Sequence, residues 1–104
     1  MHTRIAGFDW DQGNWDKCGK HGVSANEIKA LFAQSVRLLP DAEHSVTEQR
    51  FKALGKTAED RYVFLVFTIR ERDGKQYIRP ISARSMHRKE IESYEKENPD
   101  VQER

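Results

Sequence analysis

The chain has 104 residues, of which 37% are apolar and 34% charged, with a formal net charge of +1. That is about one domain's worth of chain, with a small interior and a heavily ionic surface; we expect one domain over residues 1–98 and a tail over 99–104. No apolar run reaches the ~18 residues of a membrane span, residues 1–4 lead into no signal-type stretch, and a lone Cys18 excludes an internal disulfide. Membrane and disulfide-framework classes are thereby excluded, and a reducing cytoplasm is the expected compartment.

Asp11 caps a short helix that carries Trp15 and Cys18 and ends at Lys20-His21-Gly22, with the glycine suited to the left-handed position. Ser24 and Glu27 form a capping box, and Ile28, Leu31 and Phe32 give one apolar face to a helix near 25–34. Residues 36–39 read as a strand or strand stub ended by Pro40. Residues 50–54 alternate as a strand, with Gly55 as a turn or bulge. The strongest strand is 61–70, where Val63, Leu65, Phe67 and Ile69 share one face and Tyr62, Phe64 and Val66 the other. Asp73-Gly74 turns it back antiparallel onto 76–83, and Pro80 marks an edge or bulge. His87, Ile91 and Tyr94 define a last helix, closed by Asn98-Pro99. The expected class is α+β, in the order α-α-β-β-β-β-α, with an antiparallel sheet flanked by helices.

Charge is unevenly spread. Between Arg61 and Lys89 eight basic residues stand against two acidic ones, whereas from Glu90 onward six acidic residues stand against two basic ones. Either a solvated hairpin beside a surface helix or a cationic patch for a polyanion produces this pattern. Simple alternation along 77–84 puts cations on both faces of that strand. A structural use would pair Arg79 or Arg84 with Glu48 or Asp60; the functional use is the guanidinium fork on phosphate. Phe8, Trp10 and Tyr62 add rings that either join the core or stack on bases. The four histidines and Cys18 have no metal-ligand spacing, so no metal or cofactor is expected. Cys18 is more simply a packing residue than a nucleophile.

In this setting the chain resembles the BrnT family of toxins from BrnT/BrnA type II toxin–antitoxin systems. The resemblance is carried by Phe8-Asp9-Trp10-Asp11, by Lys20-His21-Gly22-Val23-Ser24, and by Asp41, His44, Ser45, Glu48 and Arg50. It continues through Gly55 and Arg61 to Ile78-Arg79-Pro80-Ile81-Ser82-Ala83-Arg84, and ends at Glu90 and Tyr94. It implies a RelE-like ribonuclease neutralised by a cognate BrnA-like ribbon-helix-helix antitoxin, with operator DNA met only through the toxin–antitoxin complex. The alternative is a non-catalytic nucleic-acid- or antitoxin-binding module, such as an operon co-repressor. RNA cleavage without a metal needs a base for the 2′-hydroxyl, cations for the phosphate and an acid for the departing 5′-oxygen. Within the frame that the resemblance supplies, His44 or Glu48 is the candidate base, Arg50, Arg61, Arg79 and Arg84 are the candidate cations, and His21 or Lys20 the candidate acid. Trp10, Lys17, Lys20, His21 and Tyr62 are the candidate RNA contacts, with Lys17 as the counterpart of a lysine in that family's first helix.

Overall fold

The computed structural model describes residues 5–33, 37–40, 49–57 and 59–97. In chain order the elements are β1 Ile5–Phe8, α1 Gln12–Gly19, α2 Ala25–Ala33, β2 Arg37–Pro40, β3 Phe51–Lys56, β4 Tyr62–Arg72, β5 Lys75–Ser85 and α3 Arg88–Glu97. The strands make one sheet in the order β1-β5-β4-β3-β2. All neighbours are antiparallel except β1, which runs parallel to β5. The fold is therefore the expected α+β class, with one strand more than the expected order. That additional strand makes the sheet mixed. It is four residues long and gains its partner from far along the chain, so no local turn signal announces it.

The local chemistry of the helices is as the sequence suggests. The Asp11 carboxylate accepts from the Asn14 N–H (3.0 Å) while the Asn14 carboxamide oxygen accepts from the Asp11 N–H (2.7 Å), a reciprocal cap on α1. Ser24 Oγ and Glu27 Oε1 do the same for α2, at 3.1 and 3.0 Å. Gly22, at φ +75°, takes the left-handed position after α1. Asp73 and Gly74 both have positive φ, 52° and 76°, as a two-residue hairpin turn between right-twisted strands requires. Gly55, expected at a turn or bulge, instead lies buried within β3 opposite Val63.

Alternation along β4 divides the core. Val63, Leu65 and Phe67 meet Cys18, Val23, Ile28 and Leu31 on the face covered by α1 and α2. Tyr62 and Phe64 turn to the other face and pack with Leu54, Met86, Ile91 and Tyr94 under α3. Registration of β4 on β5 slips between Val66 and Phe67, which pair with Ser82 and Pro80, so β5 carries one extra residue there. The bulge sits at the proline, which has no N–H to give to a ladder. Its effect on side-chain direction is large. Thr68 faces Arg79 and Phe64 faces Arg84, so both arginines leave the α3 face. Simple alternation, with cations on both faces, is thereby corrected.

Candidate functional site

α3 covers one end of its face of the sheet. Beyond it, register and alternation place Lys52, Thr68, Arg70, Arg72, Lys75, Tyr77 and Arg79 on the same face. Arg50, the residue before β3, continues the Lys52 series. The Thr68 hydroxyl donates to the Gln49 carbonyl at 2.7 Å, which fixes the chain just ahead of Arg50 to the row of Thr68 and Arg79.

Arg79 reaches past the end of β1. One guanidinium nitrogen donates to Asp11 Oδ2 at 2.6 Å, and another lies 3.6 Å from Asp9 Oδ2. Asp9 is buried and also accepts from Arg72. Buried Asn14 ties the same corner together, donating to the carbonyls of Asp9 (2.9 Å) and Pro80 (2.8 Å). The Asn14 N–H first, and the Arg79 guanidinium second, hold the Asp11 carboxyl below its ordinary range. Asp11 thus caps α1 with one oxygen and engages Arg79 with the other.

Arg84 makes a two-pronged pair with Glu90, at 2.8 and 3.0 Å, and its guanidinium lies 4.1 Å from the Phe64 ring centre. Glu90 also accepts from the His87 N–H at 2.7 Å. The Arg84 guanidinium pulls the Glu90 carboxyl down to about 2 against the cost of burial. Arg84 therefore ties β5 to the first turn of α3. Of the two partners suggested by the sequence, Asp60 pairs with Lys56 at 3.3 Å, and Glu48 lies outside the described residues.

Arg61 belongs to the other side of the sheet. It donates to the carbonyls of Gly22 (2.7 Å) and His21 (3.2 Å), to Ser85 Oγ (3.2 Å) and to Glu27 (3.3 Å). One guanidinium straps the α1–α2 turn, the start of α2 and the end of β5 together. Lys17 and Lys20 lie exposed in the last turn of α1 and at its cap, with exposed His21 next. They are grouped with Arg61, away from Arg79 at the opposite end of that helix.

The aromatic candidates are largely structural. The Tyr62 hydroxyl donates to Glu95 Oε2 at 2.5 Å, which with burial pushes its pKa up to about 12, and its ring meets Tyr94 edge-on. Trp10 packs against the α1–α2 core and meets Trp15 edge-to-face, with centroids 5.2 Å apart. Trp15 is the more exposed ring of the two. Cys18 is buried in the core, and burial pushes its thiol up to about 11, which suits packing rather than nucleophilic chemistry.

His44 and Glu48 lie outside the described residues. Among the described residues, no group of three or more His, Cys, Asp or Glu side chains is placed to hold a metal ion, and no helix is long and apolar enough to cross a membrane. A groove of about 610 Å³ beside α2 is lined by Ile5, Phe32, Leu38, Phe51, Phe67 and Ile78 among others, with no charged residue. Its lining holds no cation for a polyanion, unlike the α3 face with Lys52, Arg70, Arg72, Lys75 and Arg79.

The family profile for the BrnT ribonuclease toxin of type II toxin–antitoxin systems matches residues 10–90, from the Trp10-Asp11 cap to Glu90 in α3. The chain belongs to the BrnT family. It is thus a ribonuclease toxin, an RNA-cleaving enzyme whose RelE-like fold is the α+β arrangement described above. A toxin of this type has RNA as its substrate and a cognate antitoxin as its partner. No curated protein matches the chain. Asp9, Asp11, Glu27 and Glu90, which hold the candidate arginines, were not singled out as their partners from sequence. Their partners are distant in the chain or across a turn, and a charge in a short motif does not reveal which cation it meets.

Proposed function

We propose that the chain cleaves single-stranded RNA on the α3 face of its sheet, beyond α3, with Arg79 and Arg50 facing phosphate and His44 and Glu48 as the acid–base pair. One of the two takes the proton of a 2′-hydroxyl. That oxygen attacks the adjacent phosphorus, and the bond to the 5′-oxygen breaks as that oxygen takes a proton from the other member of the pair. The products are a 2′,3′-cyclic phosphate and a 5′-hydroxyl. The arginines offset the charge that builds on the phosphoryl oxygens. The route draws on side chains alone.

The observation that carries this assignment is the β5 bulge, which gathers Arg79 with the other cations of one face. Residues 41–48, with His44 and Glu48, run from Pro40 to Gln49, and Gln49 is bonded to Thr68 in the row of Arg79. That tether supports a shared site. We assign Arg84 and Arg61 to holding α3 and the α1–α2 turn, since Arg84 is forked onto Glu90 and Arg61 bridges Gly22 and Glu27. His21 lies beyond the end of α1 opposite to Asp11, about 12 Å along a helix of this length. Lys17, Lys20 and His21 therefore suit neighbouring stretches of the RNA backbone better than the phosphate at Arg79, while Trp10 and Tyr62 serve packing.

The partner that fits is a BrnA-like ribbon-helix-helix antitoxin, with operator DNA met through the complex. Incubating the purified chain with a defined RNA in EDTA tests the chemistry. We expect fragments ending in a 2′,3′-cyclic phosphate, a block by a single 2′-deoxy substitution at the cut, and suppression by the product of the adjacent antitoxin gene. Cleavage abolished by EDTA, or unaffected by the 2′-deoxy substitution, contradicts the proposal.

A further inference from the structure

Tyr77 is the aromatic residue of β5, and its surroundings on the sheet differ from those of the other rings. Phe51 and Phe67 stack in the α1–α2 core, and Tyr62 and Phe64 pack beneath α3. Tyr77 belongs to neither core cluster. In register it faces Arg70 on β4, and Lys75 and Arg79 flank it two residues away on its own strand. On its other side lies β1, where its registered neighbour is Gly7, and the ring edge stands 3.6 Å from where a Cβ on that glycine would be. The Arg72 guanidinium lies over the ring, 5.7 Å from its centre, with most of that side chain exposed. A half-buried ring thus leans over a glycine within a ring of cations.

We propose that Tyr77 is a base-stacking platform of the RNA site, holding a nucleobase between its ring and an Arg72 guanidinium that swings outward from Asp9 to admit it, while Arg70 and Arg79 face the backbone. The inference rests on the RNA-cleaving face assigned above and names a specificity-bearing residue on it. The physical basis is the combination itself. Cations alone recognise any polyanion, whereas a ring among them recognises a strand whose bases are splayed, since every base has a face to stack. Gly7 leaves the space into which the ring settles, and Arg72 gives the upper face a planar cation that stacks in turn.

The test is binding of a short single-stranded 2′-O-methyl RNA and of an abasic strand with the same number of phosphates, measured by fluorescence anisotropy across a salt series. Tyr77→Leu keeps apolar volume over Gly7 without a π face, and Tyr77→Phe keeps the face without the hydroxyl. We expect Tyr77→Leu to weaken binding of the base-bearing strand about tenfold, with unchanged salt slope, unchanged binding of the abasic strand and a near-parental Tm. Tyr77→Phe should bind like the parent. Equal binding of the base-bearing strand by Tyr77→Leu, or equal loss on both strands, overturns stacking while leaving the RNA face in place. A parent protein that cleaves RNA but binds neither strand overturns the assignment of the face, and stacking with it.

Discussion

Arg79 and Arg84 stand an odd number of residues apart on one strand, yet both leave the same face of the sheet, because β5 carries an extra residue between them at the Pro80 bulge. Each then meets carboxylates in a different setting. Arg79 engages the carboxylates of Asp9 and Asp11 at the start of α1, and Arg84 is forked onto Glu90 and seated on Phe64. The first contact joins an exposed helix-cap carboxylate, Asp11, with buried Asp9; the second is half-enclosed and ties two elements together. Their mutants should differ accordingly.

Arg84→Ala should lower Tm while leaving most of the per-molecule activity of the folded fraction. The pH dependence carries the signature. The Glu90 carboxyl, at about 2 in the folded chain against an ordinary 4.5, stabilises the fold fully above its ordinary value and loses that contribution as pH falls toward 2. The Tm gap between parent and Arg84→Ala should therefore be widest near neutrality and narrow below about pH 4. A gap independent of pH contradicts the pairing.

Asp11→Asn separates capping from cation engagement. Asparagine caps a helix about as well as aspartate, so α1 should persist by circular dichroism, while Arg79 loses its contact with the Asp11 carboxylate. Tighter RNA binding with a steeper salt dependence is expected. Weaker RNA binding at unchanged helix content would show that Asp11 contributes to the RNA site other than by restraining Arg79.

Arg61→Ala removes a charged group that donates to two carbonyls, a hydroxyl and a carboxylate. Hydrogen bonds of charged groups contribute about 1.5–3 kcal/mol, so Tm should fall by roughly 5–15 °C. Arg61→Lys should not restore it, because a single ammonium cannot span those acceptors. Lost activity at unchanged Tm would instead place Arg61 in the chemistry.

The Cys18 thiol should resist alkylation by iodoacetamide at pH 8 in the folded chain and react once the chain is unfolded, as a buried thiol with a pKa of about 11 requires. Rapid native modification would contradict its place in the core.

The legible parts of the fold are those whose causes are local. The Asp73-Gly74 turn, the Ser24/Glu27 box, the Asp11 cap and the alternation of 62–69 each act within a few residues, and each stands where the sequence indicates. β1 was missed because four residues, one of them Gly7, carry too little alternation, and the strand's pairing is with residues 76–78. The bulge was signalled by Pro80, but its consequence for Arg84 follows only from the register with β4. The candidate site was legible as a set of cations and not as an arrangement. Which cations share a face, and which carboxylates hold them, depends on contacts between distant parts of the chain. Tyr77 likewise gains its meaning only when Arg70 and Gly7 arrive on either side.

The most direct measurement is the single-turnover cleavage rate of a defined RNA by a folded His44→Ala/Glu48→Ala double variant, beside Arg79→Ala, with binding measured on the same strand. Loss of a positioned acid or base typically costs about 10²–10⁴-fold in rate, whereas loss of a phosphate-facing cation weakens binding in a salt-dependent way. We expect the double variant to bind near parental strength and cleave at least about a hundredfold more slowly, and Arg79→Ala to bind more weakly with a shallower salt slope. Parental cleavage by a well-folded double variant would contradict the proposed site.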